Sequence, residues 1–270
     1  MKGLFQVISG SVTGRNHALI GKNNQDAHYI SSDATATIAL VSDGCSGGEH
    51  SEVGAKLGVR IVAEAIISHL RETSGEIEPN FWQKVKQQTL IKLEIIAKTI
   101  SCNGNFYSTI NDHLLFTIVG GIITNKETII FSIGDGVFAI NGQINLIKAR
   151  IADHAPPYLG YGLCGHPEWG EIQIHSQTST EQTQSILIGT DGVNDLIEAE
   201  DQLLPGKAEI VGNIAQFWQD DRYFQNPDLI RRRLLLINRD ILKPDWQNQQ
   251  LNKYSGLLPD DTTLIVIRKI

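Results

Sequence analysis

Cysteine is scarce in this 270-residue chain: Cys45, Cys102 and Cys164 stand far apart, with no CxxC pair. An odd number at that spacing argues against a disulfide framework and a cysteine zinc site, and fits free thiols in a reducing compartment. No long apolar run occurs, so no membrane-spanning helix is expected. The N-terminal stretch lacks an apolar segment followed by small residues, so the expectation is a cytoplasmic protein without a secretory leader. A basic excess is also missing. Lys and Arg number 23 against 30 Asp and Glu, a net charge of −7. That balance speaks against broad nucleic-acid or anionic-membrane binding, which needs basic patches. Low-complexity blocks, repeats and Pro-rich linkers are absent, and no compositional seam divides the chain. What remains is 41% hydrophobic and 20% charged, enough apolar surface for a sizeable core and unlike a disordered or collagenous chain.

Short β-branched runs bounded by Gly or Asp predict strands at 5–9 and 36–42. Over 51–71 the polar residues Glu52, Lys56, Arg60, Glu64 and Ser68 recur every four positions. One thin polar stripe on an otherwise apolar helix predicts burial on most sides. A second helix is predicted over 79–101, with Pro79 in its first turn. Strands follow at 114–124, 127–133, 137–140 and 143–147, the last two joined by Asn141-Gly142, a hairpin signal. Residues 154–170 hold three of the eight prolines and four glycines, and read as irregular surface loop. Strands at 171–175 and 185–188, helices at 193–198, 208–216 and 227–241, and a strand at 262–267 complete the pattern. Strands and helices are partly segregated and many strands meet in tight turns. This favours an α+β fold with antiparallel sheets over a wound βαβ sheet.

Acids recur where apolar strands end: Asp43-Gly44, Gly134-Asp135-Gly136, Thr190-Asp191-Gly192 and Asp260-Asp261, with Asn23-Asn24-Gln25-Asp26 before another β stretch. Each alone is ordinary turn chemistry. As a set they offer the oxygen ligands that hard divalent cations such as Mg²⁺ or Mn²⁺ take.

In this order and spacing the chain resembles the metal-dependent protein phosphatase 2C family. The matching stretches are 21–27, 41–48, 133–136, 190–193 and 260–263, and the resemblance covers about residues 10–268. The run Gly14-Arg15-Asn16-His17, then Gly21-Lys22 and Asn24-Gln25-Asp26, is most similar to the bacterial branch. The resemblance implies a four-layer α/β/β/α sandwich in a single domain over 1–270, with a flap-like segment near 148–170. It implies hydrolysis of phosphoserine and phosphothreonine in proteins, in signalling opposite a bacterial Ser/Thr kinase, at a centre of two Mn²⁺ or Mg²⁺ ions. By position, Asp43 would bridge the ions and Gly44 would offer its carbonyl. Asp191 and Asp260 would complete one ion, and Asp26 would bind or orient the other. Asp135 corresponds to a turn that is more structural than ligating. Arg15, His17 and Lys22 are candidates for the substrate phosphate, and His17 also for general acid. A metal-activated water would attack phosphorus in line, without a protein nucleophile.

The chain departs from the family pattern in two places. Ser46 stands where Gly is usual. The stretch Asp112-His113-Leu114-Leu115-Phe116-Thr117 lacks a Gly and a Thr of the third-metal motif, with Asp112 one place out, which weakens the case for a third metal and leaves His113 as an alternative proton carrier. Cys45 reads as a small packed residue, and Tyr158, Tyr161, His166 and Trp169 as either substrate-shaping or packing side chains. Arg231, Arg232 and Arg233 read as a solvated helix face. A fold-keeping pseudophosphatase that binds phosphoproteins, or a different carboxylate-rich hydrolase, are the alternative functions.

Overall fold

The computed structural model describes residues 3–101, 105–148, 156–166 and 168–270; Cys102 and part of the flap-like segment lie outside them. The chain runs β1 (Phe5–Val12), α1 (Arg15–Leu19), β2 (Asp26–Ser32), β3 (Ala36–Asp43), α2 (Ser51–Glu72), α3 (Phe81–Ile100), α4 (Phe106–His113), β4 (Ile118–Thr124), β5 (Glu127–Ile133), β6 (Gly136–Ile140) and β7 (Gln143–Ile147). A 3₁₀ turn at Leu159–Cys164 leads to β8 (Gln173–Ser179), β9 (Ser185–Gly189), α5 (Gly192–Glu198), α6 (Gln216–Gln219), α7 (Asp221–Gln225), α8 (Leu229–Ile237), β10 (Ile241–Asp245), β11 (Gln250–Tyr254) and β12 (Thr262–Lys269).

Two five-stranded sheets result, ordered β1-β12-β9-β6-β7 and β2-β3-β4-β5-β8, and every pairing is antiparallel. Side chains alternate along a strand, and here both faces of the central strands are buried. In β3, Ile38 and Leu40 face the α2–α3 side, while Ala39 and Val41 join a cluster made only of strand residues. In β12, Ile265 and Ile267 enter that same cluster, while Leu264 and Val266 pack with α5 and α8. Three apolar layers therefore separate four structural layers, which is the α/β/β/α sandwich. The double burial explains why these strands read as continuous apolar runs.

The hairpin at Asn141-Gly142 forms as expected, with both residues at positive φ (50° and 84°). The predicted helix at 208–216 does not. There the Val211 and Gly212 N–H groups donate to the Gln202 and Glu200 carbonyls, and only Gln216–Gln219 is helical. The helix expected over 227–241 stops at Ile237, and the chain turns into the β10–β11 hairpin. Helix α4 was not foreseen. Arg231 and Arg232, both exposed, share Asp228, and the largely covered Arg233 pairs with Glu209, so three cations on this helix meet two acids. Among the described residues no helix is long and apolar enough to cross a membrane.

Candidate active site

Strand ends at one edge of the sandwich deliver the acids. Asp26 opens β2 and Asp43 closes β3, and the two are register partners across the ladder. Asp135 fills the turn from β5 to β6, where Gly134 has φ +91°, a left-handed conformation that favours glycine. Asp191 follows β9 and Asp260 precedes β12. The β9–α5 turn lies so close to β12 that a Cβ on Gly192 would sit 2.1 Å from the Asp261 carbonyl oxygen. Glycine is required there by contact alone. A Cβ on Gly44 would likewise meet the Ser51 carbonyl oxygen at 2.6 Å, so the start of α2 fixes this backbone beside Asp43.

A cleft of about 380 Å³ is lined by Asp135, Asp191, Asp195, Glu198 and Asp260, with Lys148 the one cation lining it among the described residues. Burial, then the charges of Asp26, Asp191, Asp260 and Asp135, push the Asp43 carboxyl well above the usual carboxylate range. Burial also raises Asp26, against hydrogen bonds that lower it. Asp191 is open to the cleft, yet crowding by protein and the charges of Asp260 and Asp135 push it up to about 6. These carboxylates repel one another, and among the described residues only Lys148 offers a cation in the cleft lining, the condition under which a bound cation is favoured. Thr190 Oγ1 donates to Asp26 Oδ2 at 2.8 Å, while Asp26 Oδ1 is buried and has no hydrogen-bond partner. An orphaned buried carboxylate oxygen is costly unless something else contacts it.

Asp195 and Glu198 were not singled out from the sequence. They stand four and seven residues after Asp191, on the helix face that points into the cleft, and that spacing was readable. Burial and the charges of Asp260 and Glu198 raise Asp195.

The three phosphate-binding candidates, Arg15, His17 and Lys22, are not among the residues that line the cleft. Arg15 lines another cavity, with Ala18, Leu19 and Leu235, and its Nε donates to Asp240 at 3.0 Å. Its guanidinium is engaged by Asp240, outside the lining of the acidic cleft. His17 Nδ1 lies 2.9 Å from Asp261 Oδ2, again outside the cleft lining. Lys22 is exposed, with Nζ donating to the Ser46 carbonyl at 3.3 Å, on the loop that follows Asp43. The expected outcome for Arg15→Ala is a kcat within about twofold of wild type, because its guanidinium bonds Asp240 and is not among the residues lining the acidic cleft. Steady-state kinetics check this, and a fall beyond tenfold would return Arg15 to the site.

Among the described residues, one trio of potential ligands has atoms within 4.8 Å of one another: His17, Asp260 and Asp261. Asp43, Asp191 and Asp260 do not approach that closely. The trio is poorly suited to a cation, because both Asp261 oxygens already accept backbone N–H groups, from Gly14 and Gln25 at 2.6 Å each.

The flap-side aromatics pack. Tyr158 is 5% exposed, and burial, with Cys45 beside it, raises its hydroxyl pKa. Trp169 stacks on His166 at 4.1 Å and meets Tyr161 edge-on. Cys45 is half-buried against the α2–α3 core. Asp112 accepts a hydrogen bond from Ser108 Oγ, and His113 lies against His50, apart from the cleft lining.

Residues 13–221 match the family model of protein phosphatase 2C. The chain belongs to the protein phosphatase 2C family. Membership makes it a protein serine/threonine phosphatase of the 2C type. Similar solved structures include the serine/threonine phosphatase Stp1 from Staphylococcus aureus, 15% identical, covering 99% of this chain and 96% of that one with a TM-score of 0.55. The catalytic domain of the serine threonine protein phosphatase PstP, in complex with two manganese ions, is 13% identical, with 99% of each chain covered and a TM-score of 0.52. At these identities both establish the shared fold. No curated protein matches the chain significantly.

Proposed function

We propose that this 2C phosphatase hydrolyses phosphoserine and phosphothreonine in proteins with two Mn²⁺ or Mg²⁺ ions, held by Asp26, Asp43, the Gly44 carbonyl, Asp191 and Asp260. The supporting observation is the buried, partnerless Asp26 Oδ1 beside Asp43, within a set of carboxylates whose pKa values are raised. A donor set of oxygens alone suits these hard ions rather than zinc or copper. When bound, such a pair lowers the pKa of a water and neutralises charge on the phosphoryl group. The chain's own part is positional. Thr190 orients Asp26, Gly44 and Gly192 allow the close backbone packing around the acids, and Lys148 and Lys22 supply point charges near the phosphate. Among the described residues the cleft lining contains no Cys, Ser or His. The substrates are proteins phosphorylated by a Ser/Thr kinase in cytoplasmic signalling, and one domain spans the chain.

The test uses p-nitrophenyl phosphate and a phosphothreonine peptide. Hydrolysis is expected with Mn²⁺, loss with EDTA and recovery when Mn²⁺ is restored. Tight phosphopeptide binding without turnover at saturating Mn²⁺ would favour the pseudophosphatase instead.

A further inference from the structure

We infer that Asp261, which is not among the proposed ligands, is the positioning residue that registers the acid-bearing strand ends against one another. The inference rests on the metal centre proposed above. Asp261 is 1% exposed. Its Oδ1 accepts the Gly14 N–H and its Oδ2 accepts the Gln25 N–H, each at 2.6 Å. One carboxylate thus clamps both ends of the loop that carries α1, and His17 Nδ1 lies 2.9 Å from the same Oδ2. Short bonds to a buried anion are among the stronger hydrogen bonds available to a backbone N–H.

What the clamp holds is specific. Asp260, the neighbour of Asp261, is a proposed ligand, and so is Asp26, the neighbour of Gln25. The Gln25 carbonyl accepts the Gly44 N–H at 3.2 Å, and its side-chain amide donates to Ser51 Oγ at 2.7 Å. From one carboxylate, therefore, two-bond paths reach β12, the start of β2, the end of β3 and the start of α2. Gly14 is held just as tightly from the other side. A Cβ there would lie 2.3 Å from the Asp260 carbonyl carbon. The loop, β2 and β12 belong to different sheets or to none. The Arg15 and Asn16 N–H groups also hold the loop, through the Leu258 and Pro259 carbonyls, and Thr190 Oγ1 links Thr263 N–H to Asp26 Oδ2; the Asp261 carboxylate adds the direct tie from the start of β12 to both Gly14 and Gln25.

The variant is Asp261→Asn, which keeps shape but turns one acceptor oxygen into a donor facing a backbone N–H. Mn²⁺ affinity is read by calorimetry at a temperature where circular dichroism shows the variant folded. The expected result is a roughly 10- to 100-fold weaker Mn²⁺ affinity, the range seen when groups that orient ligands are altered, with kcat at saturating Mn²⁺ reduced and KM for p-nitrophenyl phosphate little changed. A merely structural role would lower the melting temperature and leave the affinity of the folded protein unchanged, and that outcome overturns the inference. A wild type that binds no Mn²⁺ overturns this inference together with the metal centre, whereas equal binding by wild type and variant overturns this inference alone. Should Asp261→Asn not fold, amide exchange in the wild type decides. Saturation with Mg²⁺ is expected to slow exchange at Gly14 and Gln25 severalfold relative to amides in α3, because coupling between the clamp and the ions is reciprocal. Unchanged exchange there rejects the role.

Discussion

Asp43→Asn is expected to lower kcat by roughly 10³-fold or more, the scale of loss when charge stabilisation at a reacting group is removed. The same substitution is expected to raise the thermal stability of the chelated protein. Both follow from one environment. Burial and four neighbouring acids hold the Asp43 carboxyl far above its ordinary range, so its charged form is unfavourable in the folded, metal-free chain. A neutral amide of the same shape removes that penalty and the proposed bridging ligand with it. The pH dependence has a defined sign. A carboxyl whose pKa is raised by folding binds more protons folded than unfolded. Its contribution to stability is complete below the unfolded value near 3.9 and is lost as pH rises through the folded value, about 6 for Asp191. Metal-free wild type should therefore lose stability between about pH 4 and 6, and Asp43→Asn should lose less. Melting in EDTA across that range, then with Mn²⁺, checks both halves. Wild type gains stability on Mn²⁺ addition, and the variant gains far less. An equal Mn²⁺ gain in the variant would remove Asp43 from the site.

Phe131→Ala is expected to cost about 3–5 kcal/mol of folding free energy. Phe131 is fully buried in β5, and its ring centroid lies 4.7 Å from that of Trp82 in α3. Its register partner in β4 is Gly120, where a Cβ would come within 2.3 Å of the ring and 2.7 Å of Leu40. The ring thus occupies the space that a side chain at position 120 would take. Its loss leaves a cavity between sheet and helices that neither neighbour can fill. Against a typical total of ~5–15 kcal/mol, that is a large share. Urea unfolding measures it, and a change below about 1 kcal/mol would contradict this packing.

Much of this arrangement was legible because doubly buried strands must be apolar throughout. β3, β9 and β12 carry that signature, and Asp43, Asp191 and Asp260 each sit next to one of them. The misses have local causes. Ile210, Val211 and Ile214 imitate a helical repeat, but Gly212 at φ 84° and bonds back to 200–202 turn the chain. The β10–β11 hairpin hid behind Pro244, which argues against a strand, and its Leu242 and Leu251 are exposed rather than buried. Helix α4 is mostly polar and buries only Ile110, leaving little periodic signal. Near the site, no sequence rule shows that Asp240, 225 residues later, takes the Arg15 guanidinium. Asp261 was quoted only as part of a motif, since its partners are backbone N–H groups that no pattern records.

The placement of β12 bears on biosynthesis. It is the last strand of either sheet to be translated, yet it lies between β1 and β9 rather than at an edge. Thr263 Oγ1 donates to Ser11 across 252 positions. Until that segment leaves the ribosome, β1 has no neighbour in its sheet and neither Asp260 nor Asp261 is available. A nascent chain ending before them carries three of the four proposed carboxylate ligands, Asp26, Asp43 and Asp191, and no finished site. Such wide loop closure slows folding, so the ions meet a complete set of ligands only once almost the whole described sequence has been assembled.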